Sequence, residues 1–80
     1  MAIPSELQNV LTSNPDTMGG AICFRGTRIP VSILLDNLRA RVPMDVFFDA
    51  YPDLSLDQVQ AVIDWEDRQA REALGLRTVS

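Results

Sequence analysis

The stretch Gly19-Gly20-Ala21-Ile22-Cys23-Phe24-Arg25-Gly26-Thr27-Arg28-Ile29-Pro30 most constrains what this chain can fold into. It holds a short apolar run, Ile22-Cys23-Phe24, bracketed by glycines. Gly26 stands where a tight turn needs a positive φ, so the chain is expected to reverse there and bring Ile29 back toward the run. Pro30 follows at once, and its fixed φ and missing N–H suit the first turn of a helix. The segment therefore reads as a β-hairpin element joined to a helix with almost no linker, carrying Arg25 and Arg28 on either side of its turn.

Upstream, Val10-Leu11-Thr12-Ser13 has strand propensity and Asn14-Pro15-Asp16 is a turn signal, so these residues are expected to pair with residues 21–24. Residues 1–9 form an N-terminal arm with at most a short helical turn. So small a sheet needs a hydrophobic layer beneath it or a second copy across an interface, and an open strand edge would invite dimerisation.

From Val31 to Arg41 the apolar residues Val31, Leu34, Leu35, Leu38 and Val42 follow helical spacing, and Pro43 should end that helix. A short second helix over residues 44–51 turns Val46, Phe47, Phe48 and Tyr51 toward a core, with Pro52 as its stop. Ser55 followed by Gln58 is a capping box and opens the longest helix. Its stripe comprises Leu56, Val59, Val62, Ile63, Ala70, Ala73 and Leu74, and Gly75 suits its end. The expected fold is mainly α (α+β): an N-terminal β-hairpin followed by a three-helix, helix-turn-helix-like unit. Residues 10–74 make the domain and residues 75–80 a flexible tail.

Eighty residues at 46% hydrophobic and 22% charged fit one small globular domain. Such a domain buries only about 60 to 65% of the surface of its unfolded chain, so a homodimer or a bound partner would add stability. The chain has no histidine, no lysine and one cysteine, which removes an intrachain disulfide and most zinc, thiol–histidine and serine–histidine constellations. No enzyme activity, cofactor or metal is expected. Asp45, Asp49 and Asp53 read as the solvated side of a helix rather than a magnesium site, and Cys23 as a small hydrophobe in a strand. No run approaches a membrane span, and a cytoplasmic location is the expectation.

Two motifs, Phe24-Arg25-Gly26-Thr27-Arg28-Ile29-Pro30-Val31 after Gly19-Gly20, and Tyr51-Pro52-Asp53-Leu54-Ser55, resemble those of the domain of unknown function 433 family of small VapB-like antitoxins. The resemblance covers roughly residues 10 to 65. It implies a homeodomain-like helix-turn-helix preceded by a hairpin. It also implies a PIN-like ribonuclease toxin as the partner that such a protein binds and neutralises, with DNA binding for autoregulation. The family pattern often has a basic residue where this chain has Ala21, and a glycine near Val42.

Formal charge is −2 over residues 1–19, +3 over 20–44, −7 over 45–67 and +2 over 68–80. Phosphate neutralisation needs Lys and Arg, yet the nominal recognition helix begins with Asp57, Asp64, Glu66 and Asp67. The candidate nucleic-acid contacts are therefore Arg25, Arg28, Arg39 and Arg41. A structural reading stands beside them: Arg25 and Arg28 could pair with Asp36 or Asp53, while Arg39 and Arg41 offset the helix dipole. The candidate partner-binding residues are Trp65, Arg68, Arg71 and Arg77; Trp65 could equally be core. Gly19, Gly20, Gly26, Thr27, Pro30 and Ser55 are assigned to turns and caps. A free-standing dimeric DNA-binding regulator and a purely structural interaction module remain alternatives to the antitoxin reading.

Overall fold

The computed structural model describes residues 3–13 and 20–76. A 3-10 turn over Ser5–Leu7 leads to strand β1 (Leu11–Ser13), strand β2 (Ile22–Phe24) and helices α1 (Val31–Arg39), α2 (Met44–Ala50) and α3 (Leu56–Ala73). The molecule is thus mainly helical, a two-stranded hairpin followed by three helices. Gly19, Asn14-Pro15-Asp16 and Arg77 lie outside the described residues.

The strands are antiparallel, with Leu11 opposite Phe24, Thr12 opposite Cys23 and Ser13 opposite Ile22. Both pairings anticipated for β2 exist. β1 occupies one side, while Gly26, at φ +81°, turns the chain so that Pro30 bridges Cys23 on the other side and the Phe24 amide donates to the Ile29 carbonyl at 3.0 Å. Leu11 and Phe24 form a cross-strand apolar pair, and both are buried together with Leu7, Leu34, Phe47, Leu54, Val59 and Val62. Each strand and helix, and the 3-10 turn, gives this core one or two side chains. Phe24 and Phe47 are its largest members at 0 and 1% exposure, each stabilising the fold by about 2–3 kcal/mol through burial.

Three sequence-based expectations are corrected. α1 closes at Arg39, short of Arg41, because Val42 precedes Pro43 and is excluded from helical geometry. The chain reverses at Arg41, φ +59°. The Arg41 amide donates to Leu38 and the Val42 amide to Asn37, the paired bonds of a Schellman motif. In α2, Val46 is 51% exposed. One residue is a 100° step around a helix, so with Phe47 buried its neighbour faces outward. In α3 only Val59 and Val62 are buried. Leu56, Ala70, Ala73 and Leu74 are exposed, because the layer of side chains beneath α3 does not extend to those turns.

The α3 N-terminus is capped as the sequence indicates. Ser55 Oγ accepts from the Gln58 amide and Gln58 Oε1 accepts from the Ser55 amide, each at 3.2 Å. The C-terminus closes in a second Schellman motif, the Gly75 amide donating to Glu72 and the Leu76 amide to Arg71, with Gly75 at φ +70°.

Candidate functional site

The two motifs are separated in sequence by nineteen residues, and the fold brings them together. Gly26, Thr27, Arg28 and Ile29 of the first motif and Asp53 of the second line one open hollow, with Thr12 and Cys23 behind them. The turn is built locally. Thr27 Oγ1 donates to the Phe24 carbonyl at 2.9 Å and accepts from the Ile29 amide at 3.1 Å, which fixes the loop from both sides. A Cβ on Gly26 would meet nothing within 4 Å, so glycine is required there by the backbone angle and not by crowding.

Arg25 is the hub that joins this turn to the rest of the molecule. Its guanidinium donates to the Gln8 carbonyl from Nε at 3.2 Å and from Nη2 at 2.8 Å, and Nη2 also reaches the Leu11 carbonyl at 3.3 Å. Its own carbonyl accepts from Gln58 Nε2 at 2.9 Å. Gln58 therefore caps α3 with one end of its amide and ties α3 to the hairpin turn with the other. The pairing of Arg25 with Asp36 or Asp53 is replaced by these backbone bonds. No short-range sequence signal marks them, since the partners lie 14, 17 and 33 residues away.

Arg28 is exposed and lines the hollow, as does Asp53. Arg39 and Arg41 are exposed at the far end of α1, whose nine residues separate them from Arg28 by about 14 Å. The four candidate nucleic-acid arginines thus divide into one engaged with backbone carbonyls, one at the hollow and two at the opposite end of a helix. Asp45, Asp49 and Asp53 are all exposed, and among the described residues no three metal-ligating side chains gather. Cys23 is buried at 3% exposure, with its Sγ 3.7 Å from the Ala21 carbonyl.

The candidate partner-binding residues sit on α3. Trp65 is half-buried and forms one wall of an apolar cleft between α3, α1 and the N-terminal 3-10 turn. Its position lies between the core and interface readings. Arg68 is exposed. Arg71 forms an ion pair with Asp67 at 2.8 Å, one turn earlier and solvated on both sides, an arrangement worth about 0.3–0.5 kcal/mol at most.

The protein-family model described as "Protein of unknown function (DUF433)" matches residues 11–65, more than half of the chain, and takes in both motifs and the whole hollow. The chain belongs to the DUF433 family. It is similar to a DUF433 member protein from Anabaena variabilis ATCC 29413, whose crystal structure superposes with a TM-score of 0.65 at 26% identity, covering 89% of this chain and 81% of that one. It is also 30% identical over 53 residues to the uncharacterized protein y4eO of Sinorhizobium fredii (strain NBRC 101917 / NGR234). That match takes in 66% of this chain but only 24% of the relative, so the matched segment there is part of a much longer polypeptide. The family match ends at Trp65, where the packed part of α3 also ends. No helix among the described residues is long and apolar enough to cross a membrane.

Proposed function

We propose that this protein is a non-enzymatic, antitoxin-like binding module whose target is another protein, a PIN-like ribonuclease that it neutralises. The observation that carries this reading is the outward side of α3. Asp57, Asp64, Asp67 and Arg68 recur at helical spacing along it and are exposed, with Gln60 bonded to Asp64 at 2.8 Å and Arg71 to Asp67 at its edge. A helix that is acidic through its first three turns repels nucleic-acid phosphate. The α2–turn–α3 unit is therefore read as a helix-turn-helix layout used for protein recognition. A ribonuclease that binds metal through carboxylates offers an arginine a target it can engage with charge-assisted hydrogen bonds. Arg68, carrying no ion pair among the described residues, is the side chain assigned to that contact.

The test is co-expression with the ribonuclease encoded next to this gene. The two proteins are expected to co-purify, ribonuclease activity should fall in the complex, and Arg68→Glu should restore it. A neighbouring ribonuclease that neither bound nor lost activity would end the antitoxin reading.

A contribution to operator binding is the second reading, favoured by exposed Arg28, Arg39 and Arg41. It predicts salt-dependent binding of the complex to its own promoter, weakened by Arg28→Ala. Equal binding by wild type and by Arg28→Ala, Arg39→Ala and Arg41→Ala variants would count against it.

A further inference from the structure

The hollow where the two motifs meet involves none of the α3 residues assigned to the ribonuclease. Its volume is about 660 Å³, within the range of small-molecule sites. Thr12, Cys23 and Ile29 give it methyl and thiol surface, while Arg28 and Asp53 bring one charge of each sign. Both charges stand on backbone that is fixed from elsewhere. Arg28 lies between Thr27, whose hydroxyl bonds the loop at 2.9 and 3.1 Å, and Ile29, whose carbonyl accepts from the Phe24 amide. Asp53 lies between Pro52, with its locked φ, and Leu54, which is buried and donates its amide to the Tyr51 carbonyl at 3.1 Å. Backbone fixed in advance reduces the ordering that a ligand must impose.

We infer that this hollow binds a small dipolar molecule, one that carries a carboxylate and an amine on a short apolar frame. The charges select that class. Arg28 and Asp53 line one hollow, yet among the described residues the ion pair that forms is Arg71 with Asp67, so neither charge in the hollow is neutralised by the other. A guanidinium presents a planar fork to a carboxylate, and the Asp53 carboxylate accepts from an ammonium. A purely anionic ligand would meet Asp53 as a like charge, and a purely cationic one would meet Arg28 in the same way. A dianionic phosphate would be repelled by Asp53 about twice as strongly as a carboxylate. Cys23, itself buried at 3% exposure, serves only as apolar wall for the methylenes between the two charged ends.

Both charged residues are exposed, so each contact is weak and millimolar affinity is expected for so small a ligand. The site uses neither Arg68 nor the outward side of α3, and it does not depend on the ribonuclease reading.

Amide-resolved NMR titration of the full chain at constant low salt tests it. The probes are glycine, β-alanine and γ-aminobutyrate, which space their two charges progressively, against singly charged butyrate and butylamine. The best dipolar probe is expected to bind about five-fold tighter than either singly charged one, the factor that one exposed charge contact supplies, and to shift the amides of residues 26–29 and 53. Arg28→Gln and Asp53→Asn should each remove that advantage, and Asp53→Asn should also strengthen butyrate by removing its like charge. The double exchange Arg28→Asp with Asp53→Arg should restore the dipolar probe, which can enter reversed; a purely structural role of either residue would not give this. Circular dichroism should be unchanged, and if the double exchange loses helix the two single variants carry the test. Equal affinities for all the probes, shifts confined to residues outside the hollow, or a dipolar advantage that survives Arg28→Gln would overturn the inference.

Discussion

The two halves of α3 have the same periodicity and different fates. Residues 56–65 are held by a capping box, by the Gln58–Arg25 bond and by burial of Val59 and Val62. Residues 66–73 repeat apolar positions on the same side and leave them in water. Helical patterning creates a face, but only a layer from elsewhere in the chain turns that face into a core. The layer here is made by Leu7, Leu11, Phe24, Leu34, Phe47 and Leu54, and it reaches one side of the first half only. The first half is accordingly an element of the fold, and the second half is a surface.

Val59→Ala should break this contrast most directly. Val59 is 1% exposed, so removing its two methyl groups should cost about 2–3 kcal/mol through lost burial and a residual cavity. Urea unfolding followed by circular dichroism would show a lower midpoint at unchanged slope. For so small a domain, which buries a modest share of its surface, that is a large fraction of the total stability.

Gln58→Ala ranks second. Its amide completes the capping box and separately satisfies the Arg25 carbonyl, so its loss should cost about 1–2 kcal/mol. Gln58→Glu separates the two roles. A carboxylate keeps the capping acceptor toward Ser55 and loses the donor toward Arg25, so this variant should fall between wild type and alanine. A Gln58→Glu chain as unstable as Gln58→Ala would mean that the tie to the hairpin carries the whole effect.

The capping box was legible because both partners lie within four residues and follow a residue-type rule. The Gly26 turn, the proline-opened α1 and the hairpin-plus-three-helix order were legible for the same reason. The hollow was legible only as two separate motifs, since nothing local says that Asp53 lines the same hollow as Arg28. Arg25 illustrates the limit most clearly. Its charge invites a reading as a ligand contact, while its partners are backbone carbonyls, which are identical at every position and leave no trace in a sequence. The over-extended α3 stripe has a related cause: periodicity reports which side of a helix is apolar, but not how far the neighbouring layer continues.

Smaller effects are expected at the two Schellman motifs, which close α1 and α3 with the same bonds but different residues. Arg41 holds φ +59° where Gly75 holds +70°, and a side chain in that conformation costs about 1 kcal/mol relative to glycine. Arg41→Gly should therefore stabilise the protein by up to about 1 kcal/mol, because α1 is packed and its end unfolds with the core. Gly75→Ala, with open space around its Cβ, meets the same backbone penalty. It should change global stability less, because the last turns of α3 can fray without opening the core. Equal and opposite shifts in the two variants would show that the last turns of α3 unfold in the same cooperative step as the end of α1.

Leu74→Ala should have the smallest effect on the urea midpoint, since Leu74 is 72% exposed. In dilute protein the side chain is already in water in the folded state, so its removal should shift unfolding by less than about 0.5 kcal/mol. A cost of about 2 kcal/mol already present in dilute protein would mean that Leu74 is covered by its own chain, which would erase the difference between the two halves of α3.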